Sequence, residues 1–151
     1  MVSREGSCSL SGSKKGVSRL EIIIGSTLRR LPRVIEVKAT REGLIGGTTA
    51  SGWVIDTKIP FVALPAERAL WRLIRIRNPL NGIARFAFVL DVGPWNTNDD
   101  AYVFGGARPQ AESGVDTSGR PTNGSGIDLG EKIWAQLRMI GNNNVEWEFV
   151  Q

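Results

Sequence analysis

The feature that most constrains this chain is a hairpin whose second strand runs into an acid. Leu73-Ile-Arg-Ile-Arg77 alternates apolar and polar residues, Asn78-Pro-Leu-Asn-Gly82 turns, and Ile83 to Leu90 returns as a mostly apolar run. Period-two alternation marks a half-buried strand, and Asn-Gly supplies the positive φ that such connections need. The run Arg85-Phe-Ala-Phe-Val-Leu90 then meets Asp91-Val-Gly-Pro-Trp-Asn96. A buried strand that delivers a carboxylate just before Gly-Pro does more than stop. Downstream, Ile127 and Leu129 flank Asp128 in the same manner. An acid at such an edge sits half out of water, where burial raises its pKa.

The rest of the 151 residues fits one domain with a real core. Eighteen Gly and seven Pro imply many turns and favour a β-rich fold over a helical bundle. The net charge of +4 is uneven: residues 1–41 hold nine Lys/Arg against three Glu, and residues 42–151 hold ten against twelve acids. A nearly neutral core domain argues against a nucleic-acid partner, which wants a basic folded face. There is no histidine, so imidazole metal sites and Ser-His triads are excluded. The one cysteine, Cys8, allows neither an internal disulfide nor a thiolate zinc site. No metal and no cofactor is expected. No run reaches the length of a transmembrane helix, and no signal-peptide apolar region is visible near the N-terminus.

Taken in order, residues 1–18 are polar, small and basic, and are expected to be a disordered leader. Residues 19–41 contain two strand-like stretches, Leu20–Ile24 and Val34–Val37, of open membership. The domain proper is expected over 42–151. Gly43-Leu-Ile-Gly-Gly47 lacks the Lys-Ser/Thr and helix of a phosphate loop. Trp95 to Ser125 is a long polar connection, functional or mobile by its length. Leu129, Ile133, Trp134, Leu137 and Ile140 share one face of a predicted helix over 129–140. Val145-Glu-Trp-Glu-Phe-Val150 alternates as a last strand, and Trp53, Trp71, Trp134 and Trp147 are expected in the core.

Six motifs in order resemble the double-psi β-barrel domains of rare lipoprotein A, with expansins and family-45 endoglucanases as more distant likenesses. They are Thr49-Ala-Ser-Gly52, Ala63-Leu-Pro65, Ile76-Arg-Asn-Pro-Leu-Asn-Gly82, Asp91-Val-Gly-Pro94, Ile127-Asp-Leu129 and the closing strand. The resemblance implies a mainly β fold, a six-stranded double-psi β-barrel with one or two short helices and a long polar loop. It also implies cleavage of peptidoglycan glycan strands in the manner of a lytic transglycosylase, in the cell envelope or outside the cell. In such domains the acid of the Ile-Asp-Leu motif is regarded as catalytic, which here is Asp128, and Asp91 matches an acid of partly structural role. Catalytic members carry a histidine ahead of the hairpin, where this chain has Phe61-Val-Ala-Leu-Pro65.

From the residues alone, Asp128 also reads as a helix N-cap, with Glu131 completing something like a capping box. The candidate catalytic set is Asp128 and Asp91. Trp95, flanked by the turn and Asn96, suits stacking on a sugar ring or a lid on the barrel. Asn96, Arg108, Thr49 and Ser51 complete the candidate substrate-binding set, and Arg108 or Arg120 could hold a substrate carboxylate. Inverting hydrolysis would need a second carboxylate across the sugar, drawn from Asp91, Asp99 or Asp100. The expected partner is peptidoglycan or a related polysaccharide, met by a monomer. The competing readings are a non-catalytic, expansin-like wall-binding module and a phage or secretion-apparatus scaffold.

Overall fold

The computed structural model describes residues 21–24, 27–30 and 33–151; the expected leader, 1–18, lies outside them. Two short strands, β1 (Glu21–Ile24) and β2 (Thr27–Arg30), form an antiparallel pair of their own. Six more close a barrel: β3 (Ile35–Arg41), β4 (Phe61–Leu64), β5 (Leu73–Arg77), β6 (Ala84–Val92), β7 (Ile127–Leu129) and β8 (Asn144–Phe149). Around the barrel the order is β3-β7-β4-β6-β5-β8. The pairs β3–β7 and β4–β6 are parallel, and the others are antiparallel. This is the six-stranded double-psi β-barrel. Because β3 is a wall of it, the barrel begins upstream of residue 42, where the sequence reading had placed the boundary.

Alternation fills the interior. Ile35, Val37 and Ala39 point inward from β3, Val62 and Leu64 from β4, Ile74 and Ile76 from β5, and Trp147 from β8, all in one buried cluster. The hairpin forms as the sequence implies, with Leu73 opposite Phe88 and Arg77 opposite Ala84. Its turn closes through Gly82 N–H to Asn78 O at 2.8 Å, and Gly82 takes φ 76°. A smaller cluster lies outside the barrel, where Ile55 from the loop 42–60 covers Phe61 and Leu90.

Two sequence expectations change. The predicted helix over 129–140 is only α2 (Glu131–Gln136), with Gly130 as its N-cap. Leu129 is held in β7 by its pairing with Arg41 and Val62, so Asp128 lies inside a strand and caps nothing. At the other end the hairpin turn intervenes: Asn78 Nδ2 and Asn81 Nδ2 each donate to Leu137 O at 3.0 Å. Arg138 takes φ 51° and Ile140 is left 92 % exposed. Trp71 also departs from the core, with φ 68° and 63 % exposure. Trp147 is buried, and Trp53 and Trp134 pack partly buried against the two clusters.

The connection from Trp95 to Ser125 is tied down by internal bonds. It carries α1 (Asp100–Val103) and a 3-10 turn at Gln110–Ser113. Tyr102 of α1 is buried; its hydroxyl accepts from Trp147 Nε1 at 2.9 Å and donates to Gly126 O at 3.1 Å.

Gly130 allows α2 to pass over the outer cluster. A Cβ there would collide with the ring of Phe61, at 2.6 Å from Cδ1 and closer still to Cε1, and Phe61 is fully buried. Gly130→Ala is therefore expected to cost about 1–3 kcal/mol in urea unfolding, the usual range for overpacking. Gly43→Ala, with nothing within 4 Å of the added carbon, should leave the midpoint nearly unchanged.

Candidate functional site

The site follows from register. Thr40 on β3 pairs with Asp128 on β7, Asp128 with Ala63 on β4, and Ala63 with Asp91 on β6. Residues directly opposite one another share a face of the sheet. Val62 and Leu64 point into the barrel, so Ala63 and its whole row face outward. Asp91 reaches this row through a register shift. Val62 faces Val89 but Ala63 faces Asp91, leaving Leu90 unmatched. Without that bulge Asp91 would stand opposite Leu64 and face the apolar interior. The two acids flank one small residue, a strand on either side of β4, on the order of 10 Å apart at the backbone.

Their environments differ. Asp91 Oδ1 accepts from Ala50 N at 2.8 Å and Val92 N at 2.9 Å. The segment Thr49-Ala-Ser-Gly52 is the clasp: Ser51 N donates to Leu90 O, Thr49 Oγ1 lies 3.0 Å from Ser51 Oγ, and Trp53 N donates to Thr49 Oγ1. Thr49 is buried, so its hydroxyl serves this turn. Among the described residues Asp128 has one donor, the Thr40 hydroxyl on its Oδ1. Burial raises its pKa to about 6, and the Asp91 charge adds to the rise while the Thr40 bond opposes it.

A third carboxylate, Glu42, was missed by the sequence reading. Its backbone N–H donates to Leu129 O at 2.8 Å, which extends the β3–β7 pairing by one residue. Two residues beyond Thr40, it falls on the same outer face. Burial, then the charges of Asp128 and Asp91, raise its pKa to about 7. Its Oε2 is buried and has no hydrogen-bond partner among the described residues. The available signal was an acid closing a β-branched strand just before glycine, Arg41-Glu-Gly43, much as Asp91 precedes Val-Gly.

The other candidates divide. Trp95 takes φ 68° with 37 % exposure, and its indole N–H donates to Asn123 Oδ1 and Ser125 Oγ, both at 3.1 Å. It thus spans from the end of β6 to the start of β7, the two strands that carry the acids. Asn96 is buried and structural, donating to Gln110 Oε1 at 2.7 Å and accepting from Thr117 N at 2.9 Å. Arg108 is held by Glu112 and by Glu36 O, at the far end of β3 from Thr40. Arg120 is engaged by buried Asp116 at 2.6 Å. Asp99 caps α1 and accepts from Gln110 N, and Asp100 pairs with Arg68 at 2.8 Å. Neither Asp99 nor Asp100 joins the row. Among the described residues no group of three or more His, Cys, Asp or Glu is placed to hold a metal, and no helix is long and apolar enough to cross a membrane.

The class these features define is a small closed β-barrel with a row of carboxylates on its outer wall. The model of the domain of unknown function DUF8814 matches residues 30–148, and the chain belongs to that family. No curated protein matches the chain. Fourteen solved chains do, among them the Streptomyces papain inhibitor (SPI), at 17 % identity and a TM-score of 0.48 over 78 % of this chain and 94 % of that one.

The raised carboxyl has a consequence for stability. Unfolded, Asp128 titrates near the ordinary carboxylate value of about 4; folded, near 6. Between those values the folded state keeps a proton that the unfolded chain has released, so stability falls as pH rises through that window and stays reduced above it. Asp128→Asn is therefore expected to raise unfolding free energy at pH 8 by about 2–3 kcal/mol and to change it little at pH 4. Urea melts at the two pH values check this.

Proposed function

We propose that the domain cleaves the glycan strands of peptidoglycan or a related polysaccharide in the manner of a lytic transglycosylase, with Asp128 as the acid/base. The observation that carries this reading is the row Thr40–Asp128–Ala63–Asp91 on the outer wall, where register positions a half-buried carboxyl whose pKa burial raises. The Ile-Asp-Leu and Asp-x-Gly-Pro motifs of the rare lipoprotein A resemblance supply the substrate class. A carboxyl titrating near 6 can both give and take a proton close to neutrality. Trp95, fixed between the two acid-bearing strands, offers a ring face against which a sugar can stack.

The route needs no activated water. Protonation of the glycosidic oxygen breaks its bond to C1, the muramoyl 6-hydroxyl closes onto C1, and its proton is taken up by a carboxylate. The product is an anhydro sugar, lighter by one water than a hydrolysis product. Incubation with insoluble murein followed by mass spectrometry is expected to release that species, and Asp128→Asn to reduce release by about 10²-fold or more. Products of normal mass would mean hydrolysis. Sedimentation with murein but no release by the wild type would favour the expansin-like binding module, and neither binding nor release would favour a scaffold.

A further inference from the structure

The acid/base work centred on Asp128 divides between two neighbouring carboxyls. We propose that Glu42 is the general acid of the site and that Asp128 works as the ionised base beside it; the assignment rests on the reading above. Hydrogen bonding separates the two. The Thr40 hydroxyl donates to Asp128 Oδ1, and a donated hydrogen bond favours the charged carboxylate. The buried Oε2 of Glu42 receives no such donor, which favours the protonated carboxyl. Where two neighbouring carboxyls are pushed apart by their surroundings, the one lacking donors keeps the proton and the one with them does not.

Among the described residues no ion pair reaches Glu42 or Asp128. Arg41, next to Glu42 in sequence, is drawn to Glu131 on α2, with Nε 2.7 Å from Oε1. In the loop over the site, Asp56 Oδ1 accepts from the backbone of Lys58 and Ile59. Asp91 on β6 adds negative charge that acts on both Glu42 and Asp128. The two carboxyls lie on one face, fixed by the Glu42 N–H bond to Leu129 O and by the pairing of Thr40 with Asp128.

The step balances without water or a cofactor. Glu42 gives its proton to the glycosidic oxygen, and the C1–O electron pair leaves with that oxygen. A lone pair of the 6-hydroxyl oxygen forms the new bond to C1, and the hydroxyl proton passes to Asp128. Glu42 ends ionised and Asp128 protonated, and exchange with solvent restores both.

Two measurements on the full chain test the assignment. In the first, Glu42→Gln and Asp128→Asn are assayed on murein and on an aryl glycoside of the same glycan, whose leaving group needs little protonation. Glu42→Gln is expected to lose about 10²-fold or more on murein and little on the aryl substrate, whereas Asp128→Asn loses activity on both. Full activity of Glu42→Gln on murein, or an equal loss on the two substrates, overturns the proposal. In the second, side-chain carboxyl NMR follows the titration of both groups, with amide spectra checking the fold of each variant. Glu42 is expected to bind its proton at higher pH than Asp128, and Asp128→Asn to lower the Glu42 midpoint. The reverse order, or independent titrations, sinks the assignment even where the wild type cleaves glycan. If the wild type cleaves nothing, the enzymatic reading fails while the NMR order still decides which carboxyl holds the proton.

Discussion

A single irregularity in strand register organises the outer wall of this barrel. Between Val62 and Ala63 the parallel pairing of β4 with β6 slips by one, and the unmatched Leu90 turns into the outer apolar cluster with Phe61. Two results follow from one slip. Asp91 leaves the interior parity and joins the face that already carries Asp128, and Leu90 becomes part of the seat for the loop 42–60. That loop returns the contact, since Ser51 N–H bonds Leu90 O and Ala50 N–H bonds the Asp91 carboxylate. Bulges re-aim side chains at sites of this kind, and here the re-aimed side chain also anchors the loop above it.

The three acids of that outer face form a series in donor count. Among the described residues Asp91 accepts two backbone amides, Asp128 one hydroxyl, and Glu42 Oε2 none. Solvation by fixed dipoles declines along the series, and burial opposes the charge on both Asp128 and Glu42. A fold selected for stability alone would supply Glu42 with a donor or with Arg41. Arg41 sits next in the chain, yet its guanidinium is pinned to Glu131 on the neighbouring helix. Stability is given up where proton affinity is gained, the usual trade at a reactive site.

Local signals carried much of the fold. The alternation of Leu73–Arg77 and the Asn-Gly turn placed the hairpin, and the alternation of Val145–Val150 placed the closing strand. What failed was decided at a distance. Leu129 has the spacing of a helical residue, but its backbone pairs with two strands more than sixty residues away in sequence. Tertiary pairing overrode local periodicity, and with it the N-cap reading of Asp128. The end of α2 was hidden for the same reason, because the amides that satisfy Leu137 O belong to the hairpin turn. Glu42 escaped because it stood at the close of a strand whose membership in the barrel depended on the parallel pairing with β7.

The long polar connection shows how function and support divide within one loop. Its length suggested function or mobility, and it supplied several of the candidate residues. Burial decides otherwise: Asn96, Tyr102, Val103 and Asp116 are all enclosed, and their polar groups bond within the strap or to the barrel end. Arg108 and Arg120 are drawn into the same internal bonding. Trp95 is different because its backbone is fixed at positive φ and its N–H is bonded on one edge, while part of its ring remains in solvent. An aromatic held this way loses little freedom on binding, which lowers the entropic cost of stacking. The rigidity of the strap is thus what makes one exposed ring useful beside two acids.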